Sequence, residues 1–169
     1  PHLFNIGGVP VESYFSPSDR TTSQIIRTLN KAQHSINIVM YSFTRSDIAQ
    51  ALIAKKASGE RVRVVMDNNT DSGNQFAALG SGGVDVLLKP SNAGGLFNHK
   101  YGIVDAENGS FSQYVITGSH NWSSAAENSN NENTLIIQSN RIANLYLQEF
   151  ASRYQESNGT DNIVVSVER

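Results

Sequence analysis

The chain contains no cysteine, so disulfides and thiolate zinc sites are excluded. It has no apolar run approaching the roughly 20 residues that cross a bilayer, and no basic segment followed by an apolar core opens it. Positive charge is also not in excess, because 13 Lys and Arg stand against 15 Asp and Glu. We therefore expect a soluble protein in which any binding of a polyanion depends on a local groove.

The length of 169 residues fits one domain with a core of its own. We therefore treat residues 1–169 as a single domain. The chain begins at Pro1 rather than methionine, which suggests a processed or truncated product. The possibility that an export signal or anchor was removed from this end stays open, and the sequence does not determine the cellular compartment.

Hydrophobic periodicity predicts alternating strands and helices, which is typical of an α/β fold. Strands are predicted at 9–15, 35–41, 61–66, 84–88, 101–105, 114–117 and 134–137, and helices at 22–33, 44–58, 75–79 and 140–154. The last helix is predicted to turn a stripe inward that comprises Ile142, Leu145, Tyr146, Phe150 and Tyr154. His2 is expected in a mobile end, and 163–167 is expected to form an edge strand or a tail.

The segment from Asn98 to Asp105 reads as a buried strand that ends in a turn. Side chains alternate along a strand, so Asn98 and Lys100 lie on one side, about 6 to 7 Å apart along the chain. His99 points the other way. Asp105 falls on the face opposite Lys100, which suits a structural anchor better than a catalytic acid.

Two further strand ends carry polar groups. The strand 114–117 runs into Gly118, and alternation then places Ser119 and Asn121 on a common side. Short neutral hydrogen-bonding groups of this kind suit the oxygens of a phosphodiester. Glu132 stands at the entrance of the next strand, where a carboxylate can orient an imidazole.

These motifs resemble those of the phospholipase D superfamily, whose signature is His-x-Lys-x4-Asp. Lys100 and Asp105 match the signature, and Asn98 occupies the histidine position. Together with segments 41–44 and 61–67, the pattern is similar to the small bacterial single-motif nucleases of that superfamily. The similarity covers about residues 10–155. It implies a mixed β-sheet flanked by helices on both faces.

The resemblance also implies a chemistry without metal or cofactor. In that family a histidine attacks phosphorus, a phosphohistidine forms, a second histidine protonates the leaving oxygen, and water completes the hydrolysis. Carried onto this chain, Lys100, Ser119 and Asn121 hold the non-bridging oxygens. Glu132 holds the imidazole tautomer, and Asp105 takes no direct part.

Asn98 departs from this scheme, because a carboxamide offers no nitrogen lone pair for attack and does not titrate near neutrality. The chain is therefore expected to be inactive or nearly so. Three explanations stay open, ranked in this order: an engineered His-to-Asn change that traps substrate, a natural binding-only relative, and catalysis by His99 or His120. The last ranks lowest because both histidines alternate away from Lys100 and Asn121.

A single motif copy predicts a twofold homodimer, since the mechanism needs two histidines on opposite sides of phosphorus. The expected partner is nucleic acid, with DNA favoured over RNA. A phospholipid or other phosphodiester hydrolase and a catalytically silent nucleic-acid-binding module are the alternatives. Lipid hydrolysis would favour an exposed apolar rim, which the sequence does not indicate. The polar loops 68–74 and 91–95 suit a hydrated polyanion, and Arg61 and Arg63 are expected in solvent or against a nucleic-acid backbone.

Overall fold

The computed structural model describes residues 2–166 of the 169. The strands are β1 (Leu3–Ile6), β2 (Val9–Ser16), β3 (Ser35–Met40), β4 (Arg61–Met66), β5 (Asp85–Leu88), β6 (Lys100–Val104), β7 (Tyr114–Gly118) and β8 (Glu132–Gln138). The helices are α1 (Thr21–Leu29), α2 (Ser46–Ala57), α3 (Phe76–Ser81), α4 (Ser124–Asn128) and α5 (Asn140–Glu156). Within these residues, no helix is both long and apolar enough to span a membrane.

The eight strands form one mixed sheet in the order β1-β2-β8-β7-β6-β3-β4-β5. Strands β3, β4 and β5 pair in parallel, and the other neighbours pair antiparallel. Helices lie on both faces, so the predicted α/β class and layer arrangement are confirmed.

Alternation of side chains along the central strands supplies a core on each face of the sheet. On one face, Ile36, Ile38 and Met40 pack with the apolar residues of α1 and α2. On the other face, Val39 and Ile103 pack beneath α5. Because β3 is buried along its whole length, the central strands hold the site at a rigid edge.

Strand β1 is a difference from the prediction, which assigned no element before residue 9 and placed His2 in a mobile end. Gly7 and Gly8 both adopt positive φ, at 59° and 87°, so the chain turns back and β1 pairs with β2. Two such residues between strands are the signature of a tight hairpin turn. His2 is correspondingly held, because its Nδ1 lies 2.9 Å from the Ser13 carbonyl oxygen.

The face of α5 also differs from the prediction. Leu145 is 54% exposed, whereas Ala143 and Leu147 are buried with Phe150 and Tyr154. The helix packs mainly on β3, β6 and β7, and Leu145 lies outside this contact.

Arg63 contradicts both readings offered for it. The side chain is 1% exposed, and its guanidinium donates to Glu107 and to Asp161, each at 2.7 Å. It also donates to the Asn37 side chain at 3.0 Å. Arg63 therefore carries a buried ion-pair network and cannot reach a nucleic-acid backbone, while Arg61 is exposed.

The chain after α5 has no regular secondary structure over residues 163–166. It packs along the helix, because Ser166 exchanges two hydrogen bonds with the Asn144 side chain, at 2.6 and 2.9 Å. Of the two alternatives, the tail is the one observed for these residues. Val167, which the prediction also included, lies outside the described residues.

Candidate active site

The sheet topology brings several loops to one edge. Strands β3, β7 and β2 end there, and the antiparallel strands β6 and β8 begin there. The register makes this explicit, since Met40 pairs with Lys100 and Ser16 pairs with Glu132. Side chains that are far apart in sequence therefore converge because strand ends meet.

Lys100 lies at the centre of this edge, half-buried at the start of β6. Its ammonium donates to the Asn98 carbonyl oxygen at 3.0 Å and to the Asn98 side-chain oxygen. The same ammonium lies 5.3 Å from the centre of the Tyr41 ring. Burial lowers the pKa of Lys100, and the negative charge of Glu132 partly opposes this shift. The site thus holds a cation with few neutralising partners.

Glu132 and Ser119 form a second contact at the same edge. The Ser119 hydroxyl donates to one carboxylate oxygen, and the Asn130 amide donates to the other at 3.1 Å. Gly118 permits this approach of β7 to β8. It has φ of 144°, and an added Cβ would stand 2.1 Å from the Asn133 carbonyl oxygen. Glu132 is consequently fixed beside Lys100 by neutral hydrogen-bond donors.

Asn121 is tied to the loop after β3. Its side-chain oxygen accepts a hydrogen bond from the Ser42 backbone N–H at 3.2 Å, which leaves the amide N–H donors directed elsewhere. The neighbouring Trp122 is 1% exposed and packs edge-on against Phe43. Trp122 therefore anchors the Asn121 loop in the core.

Asp105 lies at the far end of β6, away from this edge. Its carboxylate accepts backbone N–H bonds from Gln33, His34 and Ser35 at 2.8 to 3.1 Å. The residue is 1% exposed and adopts a positive φ of 59°. These contacts give Asp105 a structural part in closing the turn between α1 and β3.

The two histidines next to the motif residues, His99 and His120, lie apart from the Lys100 ammonium. His99 Nε2 is 3.1 Å from a Glu149 carboxylate oxygen on α5. His120 is 3% exposed, and its Nε2 is 3.2 Å from Glu127 on α4. Burial lowers the pKa of His120, against the opposing charge of Glu127. Each histidine thus pairs with a carboxylate on a flanking helix.

The Glu127 contact is one that sequence reasoning missed, because α4 was not predicted. The helix is short, and its start is marked by Ser123, whose hydroxyl accepts the Ala126 N–H at 3.3 Å. Glu127 also accepts the backbone N–H and the hydroxyl of Thr22, at 2.9 and 2.7 Å. A serine followed by alanines is a helix-start signal that could have revealed this element.

Two clefts flank the site. One, of about 430 Å³, lies towards α5 and is lined by residues that include Asn98, Lys100 and Leu145. The other lies between β2 and β8 and reaches Glu132. One large exposed apolar side chain lines each cleft: Leu145, 54% exposed, in the first and Phe15, 55% exposed, in the second.

Within residues 2–166, no group of three or more His, Asp or Glu side chains is arranged to hold a metal ion. The chemistry available at this edge is that of one ammonium, neutral donors and one carboxylate.

Comparisons with known proteins agree with this geometry. Residues 25–154 match a family model described as the PLD-like domain of cardiolipin synthase. A mitochondrial cardiolipin hydrolase of Xenopus tropicalis is 35% identical over 141 residues, which cover 82% of this chain and 63% of that protein. A phospholipase D of Rickettsia prowazekii is 31% identical over 150 residues, covering 88% and 69% respectively.

Solved structures extend the comparison to the fold. Nuc from Salmonella typhimurium, a phospholipase D family member, superposes with a TM-score of 0.77 at 30% identity, covering 88% of this chain and 95% of that one. NucT from Helicobacter pylori gives a TM-score of 0.76 at 23% identity, covering 88% and 97%. This chain spans just under two thirds of the Xenopus tropicalis hydrolase but nearly all of the two structures.

Proposed function

The chain belongs to the phospholipase D-like family, and from that premise we propose that its site binds nucleic-acid phosphodiesters and cleaves them only when position 98 carries histidine. The observation that carries the proposal is the position of Lys100, whose half-buried ammonium donates to Asn98 and lies near the charge of Glu132. Among residues 2–166 it forms no ion pair with a carboxylate. A cation held in this way favours an anionic ligand.

Phosphate binding follows from the donors at this edge. Lys100 supplies the charge, and Ser119 and Asn121 supply neutral hydrogen bonds. These donors are held by strand ends, so they need little rearrangement as negative charge builds on the non-bridging oxygens. Their positions support a role in the transition state as well as in binding.

The covalent step needs an imidazole that this chain lacks at position 98. In the Asn98→His protein, a ring nitrogen attacks phosphorus and the bond to the leaving oxygen breaks, while a second imidazole protonates that oxygen. Water then attacks the phosphohistidine, releasing the phosphate ester and restoring the ring. Glu132 would hold the imidazole in the required tautomer. With Asn98 in place, binding is retained and the covalent step is lost.

The second imidazole is supplied by a second copy of the chain in this proposal. One copy carries a single motif, and His99 and His120 are engaged with Glu149 and Glu127. The exposed Leu145 lines the cleft that contains Lys100, and a facing copy would cover it. Sedimentation is expected to show a dimer at micromolar concentration, and a monomer would contradict this assembly.

The decisive experiment compares substrates with the Asn98→His protein in excess EDTA. We expect cleavage of labelled DNA with a phosphohistidine trapped on acid quench, and no product from the parent chain. Loss of the nucleophile in other covalent enzymes costs about 10⁴-fold or more in rate, so the gain should be of that order. Equal cleavage by the parent chain, or none by Asn98→His, would contradict the proposal.

A phospholipid phosphodiester is the second candidate. The exposed Phe15 and Leu145 in the two clefts favour it, as do the names of the cardiolipin hydrolase relatives. Phospholipid vesicles containing cardiolipin therefore form the second arm of the same assay. Release of phosphatidic acid without DNA cleavage would select this candidate.

A further inference from the structure

A cleft of about 530 Å³ lies on the β2 and β8 side of the site, away from Leu145. Its lining comprises Phe15, Ser16, Pro17, Ser18, Asn131, Glu132 and Asn133. Glu132 belongs both to this cleft and to the charged edge around Lys100. The cleft therefore reaches the same edge of the sheet as Lys100, although the register pairs Phe15 with Asn133 and so turns both side chains to the face opposite Glu132.

Phe15 provides an aromatic surface in this cleft. Its side chain belongs to a residue that is 55% exposed, yet its backbone is held firmly. The Phe15 N–H donates to the Asp19 carboxylate at 2.7 Å, and its carbonyl accepts the Asp19 N–H at 2.9 Å. An exposed ring on a fixed backbone can stack on a flat ligand with little further loss of entropy.

Two amides stand across from this ring. Asn131 and Asn133 are both exposed, and within residues 2–166 neither side chain makes a recorded hydrogen bond. Each amide offers N–H donors and a carbonyl acceptor, which is the chemistry that matches the edge of a nucleobase. The cleft thus combines a stacking surface with unused donors and acceptors.

We infer that this cleft binds an unpaired nucleobase of the strand whose phosphate is held at Lys100, where that strand passes over the edge of the sheet. The inference rests on the proposed function and narrows its substrate to single-stranded nucleic acid. A lipid acyl chain fits less well, because it would take water from Asn131 and Asn133 without replacing the hydrogen bonds. A base inside a duplex has both faces stacked, so it cannot also stack on Phe15.

Binding is measured with the chain as it stands, since Asn98 prevents turnover in this account. The probes are a short fluorescent single-stranded DNA, its duplex, and an abasic strand of the same length. Phe15→Ala is expected to weaken single-strand binding roughly tenfold, which is the size of one base-aromatic stack. Binding of the abasic strand should not change, and Phe15→Tyr should keep the parent affinity.

Phe4→Ala is the matched control, because Phe4 is 49% exposed on β1 and lies outside the cleft. It should bind the single strand as the parent does. Asn131→Ala together with Asn133→Ala should weaken binding of the single strand and leave binding of the abasic strand unchanged. Circular dichroism confirms that each variant is folded.

Two results would overturn the subsite. One result is that Phe15→Ala weakens binding of the single and abasic strands equally, or weakens binding of neither. This shows that Phe15 does not contact a base. The proposed function still stands in that case if Asn98→His cleaves DNA. The other result is that Phe15→Ala abolishes binding to anionic phospholipid vesicles while no oligonucleotide binds. That outcome overturns the subsite, and failure of Asn98→His to cleave DNA would then reject the proposed function separately.

Discussion

At one end of strand β6, Lys100 is half-buried beside a cleft, and its ammonium donates to two oxygens of Asn98. At the other end, Asp105 is 1% exposed and accepts N–H bonds from three consecutive residues. Both residues belong to one sequence signature. The surroundings of Asp105 give it a structural part, whereas those of Lys100 are the basis of the proposal that it binds the ligand.

The two ends of β6 differ in whether the charged side chain has hydrogen-bond partners for all of its donors or acceptors within the chain. The buried carboxylate of Asp105 has its partners inside the chain, as a buried charge requires. An ammonium has three donors, and within residues 2–166 only the two oxygens of Asn98 receive hydrogen bonds from Lys100. An open donor at a cleft is what an anionic ligand can use.

The largest effect is expected from Lys100→Met in the Asn98→His background. Removing one charge that stabilises the transition state should lower the cleavage rate by about 10²- to 10³-fold. Thermal unfolding should change little, because the methionine keeps the apolar stem of Lys100. Cleavage rates measured with excess labelled DNA test the first part.

Lys56→Met is the matched control for that experiment. Lys56 is exposed on α2, remote from the site edge, and its loss should leave the rate unchanged. A similar rate loss in both variants would mean that net charge, and not the position of Lys100, controls activity.

Asp105→Ala should act on the other end of β6. It leaves three backbone N–H groups without their acceptor, and each such loss costs about 1–3 kcal/mol when the group is buried. Partial access of water at Gln33 reduces the sum, so we expect the free energy of unfolding to fall by about 2–4 kcal/mol. Urea denaturation measures this change.

Asp105→Asn refines the same test. Asparagine tolerates positive φ, and its one side-chain oxygen can replace Oδ1, which accepts from all three residues. The loss should therefore be smaller than for alanine. DNA binding by the folded Asp105→Asn chain should match that of the parent. A clear loss of binding would contradict the proposal that Lys100 binds the ligand and Asp105 has only a structural part.

A smaller effect is expected from pH at His120. Burial lowers its pKa in the folded chain, whereas the unfolded side chain titrates near its reference value of about 6.5. Above that pH the His120 imidazole is neutral in both the folded and the unfolded state, so its titration does not lower the free energy of unfolding. Below it the unfolded state takes up the proton first, so the free energy of unfolding should fall as pH decreases from about 6.5.

His120→Gln tests this assignment, since glutamine can donate to Glu127 without titrating. The slope of unfolding free energy between about pH 6.5 and 5 should become shallower in this variant. His99→Gln serves as the comparison on the α5 side. An unchanged slope in His120→Gln would show that the buried imidazole does not cause the acid sensitivity.

Much of the site edge could be predicted from sequence, because it depends on local rules. Alternation along a strand placed Asn98 and Lys100 together, and the contact between them has that arrangement. Glu132 was expected at a strand entrance and is the first residue of β8. Strand ends and their polar residues are visible in the sequence without knowledge of the sheet order.

The parts that were missed depend on tertiary context. Leu145 follows the helical period, yet it is exposed because it lies outside the main contact of α5 with the sheet. Arg63 resembles a surface residue until Glu107 and Asp161 meet it from distant segments. Phe15 is 55% exposed although it lies within strand β2, so its cleft could not be predicted without the packing of the sheet.

The most direct test of the central claim is a crystal structure of this chain with a short single-stranded oligonucleotide. We expect one phosphate within hydrogen-bond distance of the Lys100 ammonium from each of two copies, with Ser119 and Asn121 contacting the same phosphate. A phosphate bound elsewhere, or ordered DNA that leaves Lys100 without contact, would contradict the account.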